Sequence, residues 1–121
     1  MKGVVTVCVL LVAVGASRVF AAEPAPKDLQ LFYQRNCAKC HGVDGSAKGV
    51  QGKSLSGQDL TDARWRAGAS DASMVKVILK GKFFGLAMPA FKDQLSQEEA
   101  QRLVTEIVRQ ATKGKAIEPK P

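Results

Sequence analysis

The sequence predicts a small all-α domain, and three observations lead to that prediction. Three segments, starting near Lys27, at Ser70 and at Ser96, carry apolar residues at the three- and four-residue spacing of an amphipathic helix. No segment alternates polar and apolar residues as convincingly as a half-buried strand would. Two long loops, Gly42 to Gly57 and Lys82 to Leu95, also contain apolar residues. Three short helices form a thin core for roughly 100 residues, so a large apolar group could fill the middle.

The first helix is predicted to start near Lys27 and to end at His41, because Gly42 follows as a terminator. One face carries Leu29, Phe32, Tyr33 and Asn36, and Cys37 and Cys40 continue that face at helical spacing. A short helical turn is predicted over Asp59 to Trp65.

The second helix has Ser70 as its N-cap and Asp71 in its first turn, and it ends at Lys80 and Gly81. Its apolar stripe consists of Val75, Ile78 and Leu79.

The last helix begins with a capping box, because Ser96 is followed three residues later by Glu99. Its core face consists of Ala100, Leu103, Val104, Ile107, Val108 and Ala111. Gly114 is predicted to end it, and a loose tail is predicted from about residue 115.

The first 21 residues have the pattern of a secretory signal peptide. Lys2 supplies a positive charge, and the run from Val4 to Val14 is apolar apart from Thr6. The segment Val19-Phe20-Ala21 places small residues where a signal peptidase cleaves. The run is shorter than the roughly 20 residues that span a bilayer. We therefore predict removal of residues 1–21, with cleavage after Ala21 or Ala22, and a mature domain over residues 22–121.

Cleavage changes the cysteine count and the charge. It removes Cys8, Lys2 and Arg18, which lowers the formal net charge from +7 to +5. The bulky Val7 before Cys8 argues against a lipid anchor, and we expect no stable membrane insertion after cleavage. A moderately basic exported protein is expected to meet acidic protein partners rather than nucleic acid.

The strongest chemical signal is Cys37-Ala-Lys-Cys40-His41, which has the C-x-x-C-H spacing of haem attachment. Two thiols at this spacing can each add to one vinyl group of a porphyrin, and the next residue can direct its imidazole at the iron. A zinc site would need further ligands, but His41 is the only histidine and the mature chain has no third cysteine. A thioredoxin-like pair would lie near a βαβ pattern, which the sequence lacks.

The iron ligands follow from the residues that remain. His41 is the proximal candidate, and we expect a backbone carbonyl around Lys53 to Leu55 to accept from its other ring nitrogen. The second ligand cannot be histidine, so the candidates are the mature methionines. Met74 lies inside a predicted helix and is expected to fill the core. Met88 lies in a loop before Pro89, which favours an extended conformation at Met88.

These motifs resemble those of class I c-type cytochromes, which are small soluble proteins with one haem. The matching segments are Cys37 to Gly42, Gly85 to Phe91 and the capped last helix, and the similarity covers nearly the whole mature chain. The resemblance implies three to five short helices wrapped around one covalent haem c over residues 22–121. Position by position, it implies thioether bonds through Cys37 and Cys40 and axial ligation by His41 and Met88.

Other positions follow or depart from that family pattern. Tyr33 matches the aromatic residue four positions before the first haem cysteine. Leu29 stands where the family often has glycine, so we expect it to contact Ile107 on the last helix. The loop from Gly49 to Gly57 lacks the proline that is common there.

Several further side chains have expected places around the haem. Phe83, Phe84 and Phe91 are expected to pack in the haem pocket. The candidates for pairing with the haem propionates are Arg64, Trp65, Arg66 and Lys82, with packing alone as the alternative for Trp65.

The expected function is electron transfer in the periplasm, by a protein that shuttles single electrons between redox partners through its His/Met-ligated haem c. These protein partners are expected to have an acidic docking face. No Ser-His-Asp set, carboxylate pair or nucleotide-binding glycine pattern is present, so we do not expect an enzyme. The first alternative is a haem subunit of a dehydrogenase or oxidase complex. A more remote alternative is a haem protein that reacts with peroxide or binds a gas.

Overall fold

A computed structural model describes residues 3, 27–119 and 121. The predicted signal peptide therefore lies outside the described residues, apart from Gly3. The five α-helices of the described part are α1 (Leu29–Asn36), α2 (Ala38–His41), α3 (Ala63–Gly68), α4 (Asp71–Lys80) and α5 (Gln97–Arg102). Two 3₁₀ turns, Val50–Gly52 and Phe83–Gly85, lie in the two long loops, and a π-helical segment, Leu103–Val108, continues α5. Isolated β-bridges occur, but the described residues form no strand.

The predicted first helix is divided at Cys37. Asp28 caps α1 by accepting from the Leu31 N–H, and Cys37 then adopts a turn conformation before α2. The hydrogen bonds continue across this point, from the Cys37 N–H to the Tyr33 carbonyl and from the His41 N–H to the Cys37 carbonyl. Gly42 ends α2 with a φ of 82°, as predicted.

Helix α3 lies later in the sequence than the predicted turn over Asp59 to Trp65. The Asp59 carboxylate bonds to the N–H and hydroxyl groups of Thr61, so it forms a local turn instead of a helix cap. The next carboxylate, Asp62, accepts from the Trp65 N–H and starts the helix.

The caps of the other helices are confirmed. Ser70 accepts from the Ser73 N–H at the start of α4, and Gly81 ends that helix with a φ of 73°. Ser96 and Glu99 form both hydrogen bonds of the predicted capping box.

The last helix ends at Val108 rather than at Gly114. Beyond Val108 the backbone groups have other partners, because the Arg66 guanidinium donates to the Ala111 carbonyl and the Gly114 N–H donates to Asp44 Oδ2. Lys115 bonds to Thr112, and the Ile117 N–H donates to the Val43 carbonyl at 2.8 Å. The segment predicted to be a loose tail is thus attached as far as Ile117.

The core joins α1, α4, α5 and the π-helical segment. Tyr33, Leu29, Leu103 and Val104 are its largest fully buried residues. Ile107 is buried in the same cluster, and α1 packs against the π-helical segment, as expected from the sequence. Within the described part of the chain, no helix has both the length and the apolar character to cross a membrane.

Candidate functional site

A cavity of about 520 Å³ lies among the helices, and residues of the second long loop form part of its lining. The segment from Cys37 to His41 contributes both thiols and the imidazole, and α4 contributes Met74. The second loop contributes Met88, so all four site residues predicted from the sequence line one cavity. The other apolar and aromatic residues of the lining are Tyr33, Leu60, Trp65, Ala69, Val77, Ile78, Ala87, Pro89, Phe91, Leu103 and Val108.

The His41 ring is held by a backbone carbonyl. Nδ1 of His41 lies 2.8 Å from the Gln58 carbonyl oxygen. Because a carbonyl oxygen can only accept, Nδ1 carries the proton and Nε2 has a free lone pair for a metal. The prediction that this carbonyl lies between Lys53 and Leu55 is wrong. Those residues are used within their own loop, where Leu55 donates to Ala47 and the Lys53 carbonyl accepts from Gly49.

Gly57 brings the Gln58 carbonyl close to His41. Its N–H donates to the Cys40 carbonyl at 2.8 Å. A Cβ at this position would lie 2.5 Å from the Cys40 carbonyl oxygen and 2.8 Å from His41 Nδ1. Only glycine fits this approach without a shift of the backbone, so Gly57 positions the carbonyl that orients the imidazole.

Cys37 and Cys40 are free thiols and partly buried. Burial, together with the neighbouring Cys40, raises the pKa of Cys37 to about 12. Within residues 27–119, no three His, Cys, Asp or Glu side chains are grouped as metal ligands.

Tyr33 connects α1 to the end of α2. Its hydroxyl donates to the Gly42 carbonyl at 2.8 Å, and its side chain is buried. Burial, together with Cys37 and Asp44, raises the pKa of Tyr33 above its usual range. The phenol thus remains a hydrogen-bond donor at neutral pH and fixes the segment that carries the thiols and His41.

The backbone around Met88 is held against the end of α4. The Lys82 N–H donates to the Met88 carbonyl at 2.9 Å, and the Phe91 N–H donates to the Ile78 carbonyl at 3.0 Å. A Cβ at Gly81 would lie 2.5 Å from the Met88 carbonyl oxygen, so glycine is required there as well. These contacts fix the direction in which Met88 enters the cavity.

Two predictions about pocket side chains are wrong. Phe91 is buried and lines the cavity, but Phe83 and Phe84 point into solvent. Arg66 is not directed at the cavity, because its guanidinium donates to the carbonyls of Leu60, Val108 and Ala111.

The other residues predicted to pair with the haem propionates differ in their position relative to the cavity. Trp65 and Lys82 line the cavity, whereas Arg64 is exposed and does not line it. Sequence reasoning missed Gly57, Gln58 and Gly81. The position of Gly57 at the end of a loop and that of Gly81 at the end of α4 are weak signals. The Gln58 carbonyl leaves no signal, because every residue has one.

The fold and the cavity define a c-type cytochrome. Residues 24–105 match the family described as cytochrome c oxidase, cbb3-type, subunit III, and the chain belongs to that family. The chain is 36% identical over 84 residues to the cbb3-type cytochrome c oxidase subunit FixP of Azorhizobium caulinodans. The match covers 69% of this chain but only 27% of FixP, so the chain corresponds to about a quarter of that relative.

Solved structures are similar as well. The c-type cytochrome KustC0563 is 34% identical, with a TM-score of 0.58, and the match covers 72% of this chain and all of that one. Dihydro-heme d1 dehydrogenase NirN, at 24% identity and a TM-score of 0.55, shares the fold over 74% of this chain and 17% of its own. These similarities confirm the prediction of an all-α class I cytochrome c fold.

The residues of the cavity fit a haem c. Its volume lies within the range of about 300 to 1,000 Å³ that is typical of ligand and cofactor sites. The lining is mainly apolar, and the lone pair of His41 Nε2 is free because Nδ1 is bonded to Gln58. The cytochrome c family implies this cofactor, and the donor set suits it.

Proposed function

We propose that this protein is an electron-transfer haem subunit of a terminal oxidase complex, with one haem c attached through Cys37 and Cys40. The observation that carries the proposal is the cavity that gathers both thiols, His41 and Met88. The family match supports the oxidase-subunit alternative over a free shuttle, because the matched family is itself an oxidase subunit. The match covers only 27% of FixP, so this similarity concerns a part of that relative.

Two pairs of side chains would hold the cofactor by different bonds. Cys37 and Cys40 would form two thioether bonds, and His41 and Met88 would supply the axial ligands. When bound, haem c supplies an iron that takes up and releases one electron by cycling between the ferric and ferrous states. The Gln58 carbonyl keeps His41 in the tautomer that can bind metal.

The surroundings of the site favour the reduced state. The apolar residues of the cavity exclude water and disfavour additional charge in the site. A thioether is a neutral ligand, and His/Met ligation raises the reduction potential. No acid–base pair is required, so the chain needs only to hold the cofactor and admit a partner to its edge.

The proposed location is the periplasm. The pattern of residues 1–21 supports export by a signal peptide, and C-terminal to it lies the proposed monohaem domain over residues 22–121. The remaining net charge of +5 supports a partner with an acidic docking face. N-terminal sequencing of the exported protein should begin at Ala22 or Glu23, and an intact Met1 in the haem-loaded protein would contradict the cleavage.

Covalent attachment is tested on denaturing gels. The exported protein should retain haem peroxidase staining after acid-acetone extraction, and Cys37→Ala together with Cys40→Ala should abolish that staining. Met74→Ala, which leaves both thiols in place, is the matched control and should keep it. If the haem of the wild-type protein is extracted, the proposed attachment is refuted.

Membership of a complex is tested separately. On native gels of detergent-solubilised membranes, the haem-stained protein should migrate with oxidase activity. If it is found only at the position of the free monomer, the oxidase-subunit proposal is refuted and a protein that shuttles electrons freely between partners is favoured instead.

A further inference from the structure

The loop that leads to Met88 presents an apolar surface to solvent. Phe83, Phe84 and Leu86 lie between Lys82 and Met88, and they are 75%, 107% and 90% exposed. A single exposed apolar residue is ordinary, but three large ones within four positions are typical of an interaction site. We call the segment from Phe83 to Leu86, which carries these three side chains, the docking loop.

The backbone holds the docking loop in this arrangement. Phe83 and Phe84 have φ values of 50° and 55°, in the left-handed region that bulky residues rarely adopt. Gly85 follows with a φ of 85°. The loop is closed beneath them, because Lys82 and Met88 are paired and the Gly85 N–H donates to the Lys82 carbonyl at 3.1 Å. Such conformations are concentrated at binding sites, where the surrounding structure maintains them.

The charged residues of the segment that contains the docking loop are all lysines. The segment from Ala72 to Lys92 contains no acidic residue. Its lysines are all exposed, and they are Lys76, Lys80, Lys82 and Lys92. A complementary surface therefore combines an apolar pocket with surrounding carboxylates.

The docking loop lies next to the candidate site. Lys82, Ala87 and Met88 line the cavity, and the docking loop joins the first of them to the other two. A partner seated on these side chains would therefore be placed beside the cavity, where an electron has the shortest path. Resting on the proposed function, we propose that the docking loop inserts into an apolar pocket, bordered by Asp and Glu, on the oxidase component that exchanges electrons with this protein.

Two other occupants fit these observations less well. A second copy of the chain would bring the same lysines face to face, which like-charge repulsion opposes. A lipid surface would satisfy the apolar side chains and the lysines, but it would cover the part of the cavity lining next to the docking loop, where a redox partner has to approach.

The test measures oxygen uptake by membranes from a strain of the source organism that lacks this protein, with the chemically reduced protein added back as the sole electron donor. Phe83→Ser combined with Phe84→Ser should raise KM at least tenfold. The visible spectrum, the reduction potential and the rate of oxidation by hexacyanoferrate(III) should not change, because this small reagent needs no docking surface. Val50→Ser, which removes an equally exposed apolar side chain from the other long loop, is the matched control and should leave KM unchanged.

Other results would overturn the proposal. An unchanged KM in the double variant, or the same increase in the Val50 variant, would refute the docking loop. So would wild-type dimerisation in sedimentation, or binding to phosphatidylglycerol vesicles, if the double variant lost it.

The proposed function fails in a different way. If the wild-type protein is not oxidised reversibly by hexacyanoferrate(III), electron transfer itself is refuted. If it is oxidised reversibly but supports no oxygen uptake, only the partner assignment fails.

Discussion

At the scale of single residues, the two methionines of the cavity have different surroundings. Met74 is buried within α4 and belongs to the core cluster, whereas Met88 lies in a loop and is only partly buried. Met88→Ala should remove the weak far-red absorption band expected for iron–sulfur ligation in the ferric protein, lower the potential and allow carbon monoxide to bind the ferrous protein. Met74→Ala should leave these properties unchanged and reduce the free energy of unfolding by about 2 to 5 kcal/mol. Rapid binding of carbon monoxide to the wild-type ferrous protein at neutral pH would instead favour the gas-reactive alternative.

Gly57 gives a second prediction at this scale. Gly57→Ala places a methyl group against the Cys40 carbonyl and His41 Nδ1, so the backbone must move and the bond to Gln58 weakens. We expect a loss of roughly 1 to 3 kcal/mol in the free energy of unfolding and a changed haem spectrum. Gly68→Ala in α3 is the control, because nothing lies within 4 Å of its Cβ position. Equal stability of the two variants would show that the Gly57 contact is unimportant.

At the scale of elements, Arg109 joins three segments. Its guanidinium donates to the Asp71 carboxylate at 2.8 Å and to the carbonyls of Arg66 and Ala69 at 2.7 and 2.6 Å. Lysine has a single ammonium nitrogen, so it cannot reproduce these hydrogen bonds from three guanidinium nitrogens. Arg109→Lys should lower the free energy of unfolding, measured in guanidinium chloride, by about 1 to 3 kcal/mol. The exposed pair of Arg102 and Glu106 is the control, since Arg102→Lys should leave the free energy of unfolding nearly unchanged.

Asp44 joins the first long loop to the C-terminal segment. Its burial opposes ionisation, but hydrogen bonds from the N–H groups of Gly114 and Ser46 and from the Ser46 hydroxyl hold its pKa below the usual value. A depressed pKa stabilises the fold above the unfolded value of about 3.9, and this contribution is lost as the pH falls through the folded value.

Asp44→Asn should therefore cost about 1 kcal/mol at pH 7 and progressively less as the pH falls below about 3.9. Denaturant unfolding at pH 7 and at pH 3 measures the difference. The exposed Asp93→Asn variant should match the wild-type protein at both values. A cost for Asp44→Asn that does not vary with pH would contradict the role assigned to its charge.

The elements also show what the sequence can predict. Caps depend on a few neighbouring residues, so Ser70, Gly81 and the Ser96 capping box were predicted correctly. The end of the last helix was not, because Ala111 and Gly114 bond to residues far away in the chain. The spacing of the Cys37–His41 motif is enough to predict a haem-attachment site. The sequence also predicts that Phe83 and Phe84 lie in the haem pocket, because apolar residues are usually buried. Nothing local in the sequence reveals that a closed loop holds them outward.

At the scale of the whole molecule, the positive charge should control how fast partners meet. On the proposed removal of residues 1–21 the net charge is +5, and four of the lysines lie in the segment from Ala72 to Lys92 that contains the docking loop. The rate of electron exchange with oxidase membranes should fall steeply as salt rises, because steering is screened beyond a Debye length of about 8 Å at physiological ionic strength. Replacing Lys80 and Lys82 by Gln should flatten this dependence. Replacing Lys113 and Lys115 by Gln removes the same charge and should reduce the salt dependence less. A wild-type rate that does not change with salt would contradict electrostatic steering.

The fastening of the Met88 segment has a consequence for competing ligands. The segment is tied at both ends, by the bonds of Lys82 to Met88 and of Phe91 to Ile78. On the proposed ligation by Met88, a thioether that left the iron would stay tethered nearby, at an effective concentration on the order of millimolar or more. An external ligand with the affinity of a free thioether would have to reach a comparable concentration before it could hold the position. The tether would thus give selectivity against weak stray ligands without any group that recognises them.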